Sequence, residues 1–144
     1  MVRQALLDDW VGVKSLWFRF IEGPFSTRVA GDIGTIENYF ATSLTSFSLR
    51  FLVLEVEGSL RGFSIVHDAI APDGAKVQFL RVVHIEPGTS PEHAQELSQA
   101  LNAWARAQGS TQIIGYCSMD FPLKAYERLH GVKALYILVG KDVV

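Results

Sequence analysis

The chain has 144 residues, a length typical of one compact domain with its own core. Its 13 lysines and arginines against 15 aspartates and glutamates give a net charge of −2 with the histidines neutral. A nucleic-acid-binding protein usually carries a basic face, so this balance argues against that class. The single cysteine, Cys117, excludes an internal disulfide and a cysteine-rich zinc site. With no apolar run long enough to span a bilayer and no signal-peptide pattern, we expect a cytoplasmic protein.

The first third of the chain predicts one short strand and two helices. Val2–Leu6 has a strand pattern. Asp8 and Asp9 follow it and suit the positive end of a helix dipole. Apolar residues then recur at helical spacing from Trp10 to Ile21. A second helix is predicted over about Gly34 to Leu44, after a polar loop.

The middle of the chain predicts an antiparallel meander of three strands. The alternating segment Phe51–Glu57 leads through a glycine turn into Leu60–Ile70. A second turn, Pro72-Asp73-Gly74, combines a proline that presets φ with a glycine that accepts positive φ. The third strand is predicted over Lys76–Glu86.

A long amphipathic helix follows the meander. Ser90 is a suitable cap, Pro91 suits the first helical position, and Gly109 provides the stop. The remaining elements are predicted as a strand, a short helix and a final strand: Thr111–Cys117, Leu123–Leu129 and Ala134–Val139. The predicted order is therefore β-α-α-β-β-β-α-β-α-β, an α/β (α+β) fold with a mixed sheet in one domain over residues 1–144.

This order, together with several local phrases, resembles the GNAT acetyltransferase superfamily. The phrases are FLVLEVEGSLRGFSIV for the second and third strands, VVHIEP for the fourth strand, ALNAWARAQG for the end of the long helix, and AYERLHGV for the late helix. The resemblance implies a fourth and a fifth strand that splay apart, acetyl-CoA as cofactor, and acetyl transfer to an amine that the sequence does not identify.

By the same resemblance, two segments would hold acetyl-CoA. The main chain around Val83 and Ile85 would pair with the pantetheine amides. The start of the long helix, from Thr89 and Ser90 to Ala94, would receive the pyrophosphate through its N–H groups and its dipole.

The predicted pyrophosphate loop departs from the family motif Gln/Arg-x-x-Gly-x-Gly/Ala. The matching positions are Thr89, Glu92 and Ala94, of which only Ala94 conforms. Glu92 places a negative charge where a phosphate would bind, and Pro91 removes an N–H donor. The alternative interpretation of this segment is a well-formed helix cap with no ligand.

Three residues are candidates for acid–base catalysis. The resemblance assigns Tyr126 as the proton donor to the departing thiolate, although a tyrosine on an amphipathic helix is also a common packing residue. His84 and Glu86 share one face of the fourth strand by period-two alternation, so either could accept a proton from the amine. The alternative for His84 is a surface or hydrogen-bonded residue without a catalytic role. His67 and Asp68 on the third strand are another polar pair that could face a substrate, but for this pair solvent exposure is the expectation. The four histidines lack metal-ligand spacing, so no metal is predicted.

Two functions remain open at this point. The first is a GNAT-like, acyl-CoA-dependent N-acyltransferase. The second is a catalytically inactive protein of the same fold, such as one encoded by a phage, which acts through protein–protein contacts. The apolar share of the chain, counted with glycine, exceeds the usual proportion, which favours a homo-oligomer or a protein partner.

Overall fold

The structure, a computed structural model, describes residues 1–22 and 32–115. In this part of the chain a short 3₁₀ turn, Leu7–Asp9, precedes the first helix. The helices and strands are β1 Val2–Gln4, α1 Trp10–Ile21, α2 Ile33–Ser43, β2 Leu49–Val56, β3 Ser59–Ile70, β4 Lys76–Ile85, α3 Pro91–Ala107 and β5 Ile113–Ile114.

The strands form one mixed sheet in the order β1-β2-β3-β4-β5. The first three pairings are antiparallel, and β4 pairs with β5 in parallel at Gln78–Ile113 and Phe79–Ile114. The predicted fold class is confirmed, and the predicted element order is confirmed as far as β5. Of the predicted strand Thr111–Cys117 the described part contains the two residues of β5. The predicted final helix and strand lie outside the described residues.

Both predicted turns of the meander form where glycine allows positive φ. Glu57 and Gly58 have φ of 52° and 78°, the two left-handed positions of a tight hairpin turn between β2 and β3. Gly74 has φ of 86° between β3 and β4, and its N–H donates to the Ala71 carbonyl at 2.8 Å.

A β-bulge interrupts β4 near its middle. Val82 lies opposite Ile65 and Leu80 lies opposite Val66, which leaves Arg81 without a partner residue on β3. Because the extra residue resets the alternation of side chains, Arg81 and Val82 lie on the same face of the sheet.

Helices cover both faces of the sheet, and each face has its own core. Helices α1 and α2 pack on one face, around the buried residues Val13, Leu16, Trp17, Ile36, Phe40, Phe51, Val53, Phe63, Ile65 and Val82. Helix α3 packs on the other face, around Leu52, Val66, Leu97 and Leu101. Strand β4 therefore directs one set of side chains toward α1 and α2, and the other set toward α3.

Asp9 does not act as a side-chain cap of α1. Its carboxylate instead accepts hydrogen bonds from both terminal nitrogens of Arg3, at 2.7 and 3.0 Å, and from the N–H of Leu6 at 2.7 Å. This contact joins β1 to the start of α1 and places the helix across the sheet.

Candidate functional site

The carboxyl end of β4 brings His84 and Glu86 together on the face covered by α1, as the period-two alternation predicts. The His84 ring lies edge-on to Phe20 of α1, with centroids 5.4 Å apart, and is 6.0 Å from the ring of Phe63. Glu86 follows the last residue of β4, is 8% exposed, and forms an ion pair with Arg19 of α1. His84 and Glu86 are therefore largely buried side chains, and their role as a catalytic base stays a prediction.

Burial sets the protonation of His84. Its side chain is 12% exposed, and this desolvation lowers its pKa, against the opposing charge of Glu86. His84 is thus neutral at pH 7. Its Nε2 lies 3.5 Å from Glu86 Oε2, and it is buried without a hydrogen-bond partner among the described residues. A buried imidazole nitrogen without a partner, next to a carboxylate, is suited to accept a proton.

The other feature of this end of β4 is a backbone edge that pairs with no strand among the described residues. The N–H of Glu86 donates to the carbonyl of Arg61 on β3 at 2.8 Å. Since backbone groups alternate in direction along a strand, Val83 and Ile85 turn their N–H and C=O groups away from β3, toward the side on which β5 lies. In the described part of the chain, β5 pairs with β4 only at Gln78 and Phe79, so these groups make no hydrogen bond with it.

The loop after β4 turns directly into α3. Gly88 has φ of 84°, and the N–H of Thr89 donates to the Glu86 carbonyl at 3.2 Å. Ser90 caps the helix as predicted: its Oγ accepts from the N–H of His93 at 3.3 Å. The N–H of Ala94 donates to the Ser90 carbonyl at 3.1 Å.

Several groups of this loop are available to an anion. The N–H groups of Gly88, Ser90 and Glu92 make no hydrogen bond with the described residues, and the buried Thr89 hydroxyl has no partner there either. A cation is also present, because Arg61 places its guanidinium against this loop, where it donates to the Pro87 carbonyl at 3.0 Å.

Other features of the loop oppose an anion. Pro91 provides no donor, and the Glu92 carboxylate is the acidic group in the first turn of α3. The Ser90 hydroxyl already occupies the N–H of His93. Among the described residues, the strand edge thus offers N–H and C=O groups with which a pantetheine arm could pair, whereas the loop combines donors and one cation with an opposing carboxylate.

The pair predicted as solvent-exposed, His67 and Asp68, is divided between the two faces of the sheet. His67 Nε2 accepts a hydrogen bond from Arg81 Nε at 2.8 Å. Asp68 accepts from the amide of the buried Gln78 at 2.7 Å, on the face of α3.

Three arginines near this strand, Arg19, Arg61 and Arg81, were not among the predicted site residues. The signal for Arg81 was its position as a charged residue inside the apolar run FLRVV.

Two further predictions concern residues and sites beyond this strand end. Tyr126 lies outside the described residues, so its role stays a prediction. Within residues 1–22 and 32–115, no cluster of histidine, cysteine and acidic side chains could hold a metal ion. The same ranges contain no helix with the length and apolar character needed to cross a membrane.

Comparison with models of protein families finds no match, and comparison of the sequence with characterised proteins finds none either. Solved structures, in contrast, match over the whole chain. An aminoglycoside 6'-N-acetyltransferase from Acinetobacter haemolyticus is 12% identical with a TM-score of 0.77, covering 100% of this chain and 98% of that one.

Two other solved structures match to a similar degree. A ribosomal-protein-alanine N-acetyltransferase from Brucella melitensis is 16% identical with a TM-score of 0.69, covering 99% and 98% of the two chains. A predicted acetyltransferase from Clostridium acetobutylicum, solved with acetyl-CoA, is 15% identical with a TM-score of 0.75, covering 99% and 95%. The chain therefore has the GNAT acetyltransferase fold, as its sequence patterns predict.

Proposed function

We propose that this protein transfers an acetyl group from acetyl-CoA to a primary amine. The fold supports the class of reaction. The observation that carries the proposal for this chain is the coincidence of two features at one end of β4. A backbone edge at Val83 and Ile85, which pairs with no strand among the described residues, lies beside a buried histidine and an adjacent carboxylate, and the histidine Nε2 has no hydrogen-bond partner in the same part of the chain.

The proposed cofactor contacts follow from these features. Acetyl-CoA supplies an activated thioester when it is bound. Val83 and Ile85 would hold its pantetheine amides through their outward N–H and C=O groups. The loop from Gly88 to Ala94 would face the pyrophosphate with its unpartnered N–H groups, and the Arg61 guanidinium would offset part of the Glu92 charge.

The proposed proton transfer uses His84 and Glu86. A primary amine reaches the site mostly as the ammonium ion at pH 7, so a proton must leave before nitrogen can attack a carbonyl carbon. Neutral His84 would accept that proton at Nε2, and Glu86 would stabilise the resulting imidazolium. Tyr126 stays the proposed donor to the departing thiolate, on its resemblance alone.

A second candidate function is a binding or structural role without cofactor. The observation that favours it is the first turn of α3, where Pro91 provides no donor and the exposed Glu92 adds a carboxylate. In that case a protein partner or a second copy of the chain would use the fold as a scaffold. Light scattering under native conditions, which measures the oligomeric state, addresses the homo-oligomer directly.

Isothermal titration calorimetry with acetyl-CoA separates the two candidates. We expect the native protein to bind with a micromolar dissociation constant. Glu92→Gln removes the opposing charge at nearly constant volume and should tighten binding by about 1 kcal/mol, roughly fivefold. The matched control is Glu37→Gln, an exposed glutamate on α2 across the sheet, which should leave affinity unchanged.

Each result of the titration has one interpretation. Micromolar binding by the native protein supports the enzyme and leads to a screen of amine acceptors. Binding by Glu92→Gln alone supports a scaffold whose cofactor site is closed by one charge. If neither protein binds acetyl-CoA at millimolar concentration, the transferase proposal fails.

A further inference from the structure

We infer that Arg81 binds a carboxylate of the amine acceptor, so that the acceptor is an amino-acid-like molecule with both an amine and an acid group. The assignment of the ligand as the acceptor rests on the proposed transferase function. The carboxylate site itself rests on the geometry around Arg81, which is independent of coenzyme A.

The Arg81 guanidinium is held in a fixed orientation between aromatic rings. Its central carbon lies 4.8 Å from the ring centre of Phe79 and 6.0 Å from that of Tyr39 on α2. Its Nε donates to His67 Nε2 at 2.8 Å. His67 Nδ1 in turn lies 2.7 Å from the carbonyl oxygen of Asp68, so the hydrogen-bond pattern places the His67 proton on Nδ1. A side chain held in this way loses little conformational entropy when it binds a ligand.

The terminal nitrogens of Arg81 make no hydrogen bond or ion pair with the described residues. Two arginines of this part of the chain do form ion pairs: Arg3 with Asp9 and Glu55, and Arg19 with Glu86. Arg81 is nevertheless only partly exposed to solvent. A partly desolvated guanidinium with both terminal nitrogens unused presents the planar fork that a carboxylate matches with two parallel hydrogen bonds.

The position of Arg81 on β4 relates its guanidinium to the proposed reaction at His84. The bulge places Arg81 on the same face of β4 as Val82, and His84 follows on that face. Three residues along a strand correspond to roughly 10 Å. Val82 lies between Arg81 and His84 and is buried against α1 and α2. A molecule with its amine at His84 and its carboxylate at Arg81 would therefore pass around this covered part of β4, with several bonds between the two groups. A polar group at each end would fix the direction in which the acceptor binds.

A purely structural role for Arg81 is the competing explanation. Its contacts with Tyr39 and Phe79 would then only fasten α2 to the sheet, and its loss would lower stability without affecting the choice of ligand. The chain offers a matched control for that role. Arg50 stacks on Trp104 at 4.9 Å on the opposite face, also without an ion pair among the described residues.

The first experiment measures binding without coenzyme A and without catalysis. NMR spectra record the Nε–H signal of Arg81, assigned through Arg81→Lys, while 6-aminohexanoate or its carboxamide is added to the native protein. We expect the acid to shift this signal in a saturable way at millimolar concentration, and the amide to leave it unchanged. The Nε–H signal of Arg50 should stay in place with both. An equal response to acid and amide, or no response to either, overturns the inference.

The second experiment measures selectivity in acetyl transfer. The native protein should prefer 6-aminohexanoate to its carboxamide by about 10- to 100-fold in kcat/KM, the range expected for hydrogen bonds to a charged group. Arg81→Met should reduce this preference to about one, whereas Arg50→Met should retain it. Equal loss of preference in both variants would overturn the inference. If no amine is acetylated at all, the transferase proposal fails while the NMR titration still decides the carboxylate site.

Discussion

Replacing Gly62 by alanine should destabilise the protein by pushing against the backbone of β4 at the candidate site. Gly62 lies on β3 opposite Ile85. A Cβ atom added there would lie 2.7 Å from the carbonyl oxygen of His84 and 3.5 Å from Ile85 Cα. Both atoms belong to the backbone, so no rotation of a side chain can relieve the contact.

The expected magnitude follows from this distance. A carbon–oxygen contact between strands is ordinarily about 3.3 Å or longer, so the His84 carbonyl must retreat by roughly 0.6 Å. Overpacking of this kind costs about 1–3 kcal/mol, whereas glycine to alanine at a tolerant site gains about 0.4–1 kcal/mol through the unfolded chain. The cost is larger. We expect the free energy of unfolding to fall by about 1–2 kcal/mol, and the melting temperature by about 3–8 °C.

Urea denaturation of Gly62→Ala beside Gly12→Ala tests this reasoning. A Cβ at Gly12 would lie 2.9 Å from Cδ1 of Leu60, nominally almost as close, but that atom is the end of a flexible side chain. Gly12 also lies inside α1, where alanine gains about 1 kcal/mol in helix propensity. Gly12→Ala should therefore be neutral or stabilising. If Gly62→Ala is as stable as the native protein, or if Gly12→Ala is the worse of the two, the steric account of this strand pair is wrong.

Two other predictions concern ionisable groups. Arg3 lowers the pKa of Asp9, so its ion pair stabilises the fold fully above the unfolded-state pKa of about 4, and this stabilisation is lost as the pH falls from there through the lower folded-state pKa. Asp9→Asn should cost about 1–2 kcal/mol at pH 7 in urea denaturation, and the difference from the native protein should shrink steadily as the pH falls below about 4; a difference that does not shrink contradicts the mechanism. Glu86→Gln should lower the pKa of His84 further, because the Glu86 charge opposes the effect of burial. NMR titration of the His84 ring measures this pKa, and a rise in the variant would contradict the electrostatic account.

Local sequence patterns predict most of the described secondary structure. The strand alternation, the cap at Ser90 and the positive-φ glycines depend on interactions between residues close in sequence, so they can be recognised without a structure. The shared face of His84 and Glu86 is of the same kind, since it follows from the period of a strand.

The partners of those residues depend on packing between distant segments. Arg19 reaches Glu86 only because α1 crosses the sheet at the end of β4, 67 residues away in sequence. The bulge that moves Arg81 to the same face as Val82 depends on register with β3. Period-two alternation alone would place Arg81 and Val82 on opposite faces, so the relation between Arg81 and His84 could not be predicted from the sequence.

If the proposed transfer takes place, side chains and not the fold would determine the acceptor. Among solved structures that share this fold, one acts on an aminoglycoside and another on the alanine of a ribosomal protein, at similar TM-scores to this chain. In the proposed function, the backbone edge of β4 would bind the cofactor through main-chain groups, which do not distinguish acceptors. On the face of α1 and α2, by contrast, Arg19 forms an ion pair with Glu86, whereas Arg81 forms none with the described residues. Under the proposed function, Arg81 would attract an acceptor that carries a carboxylate besides its amine, and would disfavour one with a second cationic group at that end. The charge of Arg81 would then restrict the choice of acceptor.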